Sequence, residues 1–186
     1  MTCLHVFDMD GTLLHGSACF EISRAIGVLE ENVAIEEAWL RGDFTDEVYW
    51  ERCLPLWRDL NEAHIAAAFA NAPWMARVRD VFEDIRARGE HSAVITQSPR
   101  FFAERLAEWG VSFAFGATIA PNLPASERLL VSSDEKLVIT QQLLEELGLS
   151  ADACVAYGDS ASDLALFRTL HNTVGVNAKP AIRELA

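Results

Sequence analysis

Apolar residues fall in two rhythms along this chain. Short apolar runs, partly β-branched, occupy residues 3–7, 92–96, 113–119, 153–157 and 173–176. Each has the length and continuity of a strand buried on both faces. Between them, apolar positions recur at helical spacing. Over 74–88, Val78, Val81, Phe82 and Ile85 share one face, and Gly89 stops the pattern. Ser98-Pro99 predicts the cap and first turn of another helix, with Gly110 after its end. Residues 135–147 place Leu137, Val138, Gln141, Leu144 and Leu147 on one side, with Gly148 as the stop.

Strands alternating with helices of this length predict an α/β fold, a doubly wound parallel sheet with helices on both faces. The interval between the first and second strands breaks the rhythm. Residues 17–71 are nearly all helical in pattern, punctuated by Gly27, Gly42 and Pro55 and closed by Asn71-Ala72-Pro73. The expected organisation is a core from 1–14 and 73–186, with a small all-helical lobe, 15–72, inserted after the first strand.

Composition narrows the functions. The net charge of −13 over 186 residues argues against a nucleic-acid partner, which needs a basic face. No apolar run approaches the roughly 20 residues of a membrane span, so no membrane partner is expected. Residues 4–7 have neither a basic leader nor a small-residue cleavage site, so the expected address is cytoplasmic. Cys3, Cys19, Cys53 and Cys154 are scattered with no CxxC pair, and suggest neither a disulfide framework nor a zinc site.

The candidate chemistry sits just after the predicted strands, where open parallel sheets place their ligands. Asp8-Met9-Asp10-Gly11-Thr12 follows the first strand. Two acids two residues apart, before a glycine turn, can divide the roles of nucleophile and general acid/base. They can equally form an Asx-turn. Gly158-Asp159-Ser160-Ala161-Ser162-Asp163 follows the fourth strand. Asp159 offers oxygen to a hard cation and Asp163 can support it, or Ser160 and Asp163 can form a capping box. Thr96-Gln97-Ser98-Pro99 puts a hydroxyl at a strand end before a helix N-terminus, a natural phosphate pocket. Lys136 lies in a first helical turn, where a basic group opposes the dipole and has no local role.

These four motifs, in this order and across essentially the whole chain, resemble the haloacid dehalogenase superfamily and its phosphoserine phosphatase-like branch. The resemblance implies a Rossmann-like catalytic core, a helical cap over residues 15–72, and hydrolysis of a small-molecule phosphate ester. It implies that Asp8 attacks phosphorus while Asp10 serves as acid and then base. Thr96 and Lys136 would hold phosphoryl oxygens, and Gly11, Thr12 and Gln97 would line the phosphate site. Mg²⁺ would be bound by Asp8, Asp159 and the Asp10 carbonyl, with Asp163 orienting that shell. An acid at Asp10 points to ester hydrolysis or transfer, since haloacid dehalogenases of the superfamily lack it and transport ATPases carry threonine there. A phospho-ligand binding or regulatory protein, and a phosphotransferase to an acceptor other than water, are the alternatives.

Departures from the branch fall on the substrate rim. Where phosphoserine phosphatases usually carry a glutamate for the substrate amino group, this chain has Ser17, with Glu21 one turn on. Arg52 meets the usual cap arginine only with a one-residue shift, and Glu51 falls there otherwise. The lobe is rich in aromatics, including Phe20, Trp39, Phe44, Tyr49, Trp50 and Trp57. They fill the lobe's own core, or, with Trp50 first, line a pocket for an apolar substrate.

Overall fold

The computed structural model describes residues 2–185. One parallel sheet is built from β1 (Leu4–Phe7), β2 (His91–Pro99), β3 (Phe113–Ala117), β4 (Cys154–Gly158) and β5 (Asn172–Gly175), in the order β3-β2-β1-β4-β5. Every residue of central β1 is buried. That requires the unbroken apolar run seen in the sequence, because both sheet faces are covered. Side chains alternate along the strand: Leu4 and Val6 join one apolar cluster with Ile95, Leu144 and Leu166. Phe7 joins the other with Phe82, Val94 and Phe102.

The chain builds outward from β1 to β2 and β3, then returns to add β4 and β5 on the other side. The order therefore reverses at β1/β4, and a crevice opens beyond their carboxyl ends. Asp8 and Asp159 are the first residues past those two strands.

Four helices lie between β1 and β2: α1 (Ala18–Ala25), α2 (Leu29–Leu40), α3 (Asp46–Leu56) and α4 (Glu62–Asn71). Fully buried Trp57 ties this insert together by donating its indole N–H to the Ser23 hydroxyl at 2.9 Å. The two crossings between insert and sheet pair with each other. Leu14 bridges Trp74, His15 N–H donates to the Pro73 carbonyl, and Met75 N–H donates to that of Leu13, both at 2.9 Å.

The remaining helices are α5 (Val78–Ala87), α6 (Arg100–Ala103), α7 (Ser133–Leu147), α8 (Leu164–Thr169) and α9 (Pro180–Arg183). Three helix starts differ from those the sequence predicts. α5 starts at Val78, not 74, because Trp74 is held extended against Leu14 and Arg77 takes a left-handed conformation. Ser98 and Pro99 end β2 instead of opening a helix; Pro99 itself is the cap residue of α6. α7 begins two residues early, because Ser132 and Glu135 form a reciprocal capping box. Among the described residues no helix is long and apolar enough to cross a membrane.

Candidate active site

A buried lysine organises the crevice. Lys136, in the first turns of α7, is fully inaccessible and donates to Asp8 Oδ1 at 2.7 Å, Asp163 Oδ1 at 2.8 Å and Ser162 Oγ at 3.3 Å. Those three partners match the three N–H donors of an ammonium. Burial works against its charge, but the Asp8 and Asp163 carboxylates more than offset this and lift its pKa above the usual lysine value. Burial pushes Asp8 well up, Lys136 pulls it down, and the negative charges of Asp163 and Asp10 raise it further. The side chain that opposes its helix dipole is thus a neutralising partner for two buried acids.

Asp163 is held from two directions. Its Oδ1 accepts from Lys136, and its Oδ2 accepts the backbone N–H of Asp159 at 3.1 Å and of Ser160 at 3.3 Å. Ser160 and Asp163 do form a capping box, so the capping and supporting readings hold together. Gly158 permits the approach, since a Cβ there would lie 2.5 Å from Asp163 Cγ.

Asp10 is fixed from the insert side and from β2. Its Oδ1 accepts the Ala18 N–H, at the start of α1, at 2.8 Å. Its Oδ2 accepts the Ser98 hydroxyl at 2.5 Å and the Thr96 hydroxyl at 3.5 Å. Burial raises its pKa, while the Ser98 and Ala18 hydrogen bonds lower it; the upward direction prevails. A carboxyl that keeps its proton longer than an ordinary aspartate suits a general acid.

Asp159 supplies the test of a metal. Among the described residues its buried Oδ1 has no hydrogen-bond partner, and Oδ2 has only the exposed Lys179 ammonium at 3.3 Å. Carboxylate oxygens of Asp8, Asp159 and Asp163 lie within 4.8 Å of one another. An orphaned carboxylate oxygen in an all-oxygen cluster fits a hard divalent cation. Asp163 has both oxygens engaged, which leaves Asp8 and Asp159 as the free donors and Asp163 as their support. Gly11 makes room: its φ is +85°, and a Cβ there would fall 2.5 Å from Asp159 Oδ2.

Asp8, Asp10, Thr96, Lys136, Asp159 and Asp163 are therefore brought together, with Gly11 beside them. Thr12 is buried, its hydroxyl without a partner among the described residues. Four rim candidates go elsewhere. Gln97 donates its amide to the Val131 carbonyl at 3.1 Å. Ser17 caps α1 by accepting the Cys19 N–H. Exposed Arg52 lies over the Phe44 ring, 4.2 Å from its centroid. Trp50 is buried edge-on against Tyr49 and Trp57, which corrects the substrate-pocket reading, because the lobe needs that ring for its own core.

Sequence reasoning missed Ser98, Ser162 and Lys179. It also missed Glu36 of α2, whose carboxylate lies 3.5 Å from the Tyr49 hydroxyl. Ser98 looked like a helix cap. Lys179 had a signal in the Asn177-Ala178-Lys179-Pro180 turn, where the Lys179 N–H donates to the Asp159 carbonyl at 2.7 Å.

Residues 5–168 match the family model of the haloacid dehalogenase-like hydrolases. The chain belongs to that family. Among curated relatives of this hydrolase, the phosphoserine phosphatase of Idiomarina loihiensis is 27% identical over 194 residues, covering 98% of this chain and 86% of the relative. That of Archaeoglobus fulgidus is 24% identical over 188 residues, covering 98% and 55%. A substrate-bound phosphoserine phosphatase superposes with a TM-score of 0.81 at 22% identity, covering all of this chain and 91% of its own. That likeness establishes the shared fold.

Proposed function

We propose that this hydrolase is a Mg²⁺-dependent phosphomonoesterase that cleaves a small phosphorylated metabolite through an aspartyl-phosphate on Asp8. The observation that carries this is the pairing of two acids in different settings at one strand end. Asp8 is locked to a buried ammonium 2.7 Å away, and Asp10 is held apart by Ala18 and Ser98 with a raised pKa. The phosphoserine phosphatase relatives support the same class of substrate.

In the first half-reaction an Asp8 oxygen attacks phosphorus and the ester P–O bond breaks. Asp10 gives its proton to the departing alkoxide, which leaves as the alcohol. In the second, Asp10 takes a proton from water as that water attacks the phosphoryl group, and Asp8 departs as a carboxylate. Lys136 neutralises Asp8, and its charge, three donors already committed, lowers the cost of the negative charge that gathers on the phosphoryl group next to Asp8. Asp8, Asp159 and the Asp10 carbonyl would hold Mg²⁺, which would supply Lewis-acid stabilisation of the charge-dense transition state. Phosphate-monoester hydrolysis demands accelerations up to ~10²¹-fold, so electrostatic stabilisation is the expected main source.

A pure phospho-ligand binder has no use for Asp10, and transfer to an alcohol differs only in what reaches phospho-Asp8 second. The test is phosphate release from phosphoserine, amino-alcohol phosphates, sugar phosphates and nucleotides, with Mg²⁺ or EDTA. Release that needs Mg²⁺ and disappears in Asp8→Asn is the expected result. Metal-independent release, or full activity in Asp8→Asn, would overturn the proposal.

A further inference from the structure

Of the 15 lysines and arginines in the chain only two are lysines, Lys136 and Lys179, and both lie on the acids of the crevice. They are held in opposite ways. Lys136 is fully buried and all three of its donors are taken. The Lys179 side chain is 67% exposed, and its one ion-pair partner among the described residues is Asp159 Oδ2 at 3.3 Å.

The backbone brings Lys179 to this place. Beyond β5 the Val176 N–H donates to the Gly158 carbonyl at 2.9 Å, and the Lys179 N–H to that of Asp159 at 2.7 Å. Asn177 takes a left-handed conformation, φ +49°, which asparagine tolerates, and its amide donates to the Gly11 carbonyl at 3.3 Å. Pro180 then opens α9. The root of Lys179 is therefore tied to the loops after both β1 and β4, while its four-carbon stem is free to swing into solvent.

Asp159 needs such a partner. It is buried, and among the described residues its Oδ1 has no hydrogen-bond partner and no basic side chain other than Lys179 pairs with it. A buried carboxylate left alone is costly. Yet the oxygens of Asp159, with those of Asp8, are the ones a divalent cation would take. An ammonium and a divalent cation on one carboxylate repel each other, so each opposes the other there.

We propose that Lys179 is a resident counter-ion of Asp159, which holds the carboxylate until a divalent cation arrives, competes with that cation and so sets its affinity. This rests on the reading of Asp8 and Asp159 as the metal ligands. Lys179 is a positioning residue in this role, acting on the site through Asp159. Its ammonium is a point charge on a flexible stem, which leaves a carboxylate readily. An arginine in its place would grip both oxygens with a planar fork and be harder to displace. Lys136 cannot take this part, because its buried ammonium has no solvent to withdraw into.

The test is a calorimetric titration of Mg²⁺ into the full chain without ester, for wild type, Lys179→Met, Lys179→Arg and Asp159→Asn. Lys179→Met should bind Mg²⁺ roughly fivefold tighter than wild type, the scale of one exposed ion pair. Lys179→Arg should bind it more weakly than wild type, and Asp159→Asn should lose binding. Thermal unfolding gives a second readout. In EDTA the midpoint of Lys179→Met should fall below that of wild type, while Mg²⁺ should raise it by more. A lysine that merely braces the turn would lower that midpoint and loosen Mg²⁺ together. Equal or weaker Mg²⁺ binding in Lys179→Met, with binding still lost in Asp159→Asn, would overturn the counter-ion role and leave the metal reading standing. Mg²⁺ binding by none of the four proteins, or undiminished binding in Asp159→Asn, would overturn both.

Discussion

The floor of the crevice and the insert face above it handle buried polar groups in opposite ways. On the floor, Lys136 spends all three N–H donors on Asp8, Asp163 and Ser162, and Asp163 has both oxygens engaged. On the insert, among the described residues, Glu36 has one weak neutral partner and Asn32 Oδ1 has none. A saturated network holds reacting groups in one geometry before substrate arrives. An unsaturated face is completed by what binds to it. The contrast separates a network that is complete in itself from a face with acceptors to spare.

The largest effect should come from the floor. Asp10→Asn keeps the Ala18 and Ser98 contacts within reach but removes the transferable proton, and steady-state turnover should fall by about 10²–10⁴-fold. A loss below tenfold would mean that the leaving group is protonated elsewhere. Next is Lys136→Met, which strands Asp8 and Asp163 as buried, unpaired acids. Urea unfolding should show a loss of about 3–5 kcal/mol. A near-neutral result would show that the two acids simply take up protons.

The insert face should respond to pH where the floor variants do not isolate the effect. Glu36 rises from an ordinary 4.5 to about 7 on folding. A raised acid contributes stability that is fully present below about pH 4.5 and lost as pH climbs through about 7. Without ligand, wild type should therefore weaken across that window relative to Glu36→Gln. After solvent screening the difference should be on the order of 1–2 kcal/mol. Parallel stability profiles for the two proteins would remove Glu36 from the buried face. The smallest effect belongs to Arg52→Ala, which gives up an exposed cation–π contact worth about 0.5–1 kcal/mol. It should leave KM unchanged, and a tenfold rise would place Arg52 on the substrate after all.

Legibility follows the same division. β1 and β4 announce themselves because a central parallel strand must be apolar throughout, and the acids that interrupt those runs mark the strand ends. Lys136 was legible as a residue without a local reason. Ser98 was not, because Ser-Pro before a helix satisfies a capping pattern, and only the β2 register shows its hydroxyl going to Asp10. Glu36 was invisible for a different cause. It is one of several glutamates on α2, and which of them turns inward is set by packing against α3, which no local pattern encodes. Trp50 shows a choice the sequence left open, between lobe core and substrate pocket, and its packing against Tyr49 and Trp57 favours the core.

The covalent intermediate is the point on which the mechanism stands. Wild-type protein turning over a phosphate ester with Mg²⁺ should be quenched in acid, reduced with borohydride and sequenced by mass spectrometry. An acyl phosphate reduces to the alcohol, so homoserine at position 8, dependent on both ester and Mg²⁺, is the expected result. Turnover with Asp8 unmodified in the quenched protein, or homoserine at position 10 instead, would contradict nucleophilic attack by Asp8.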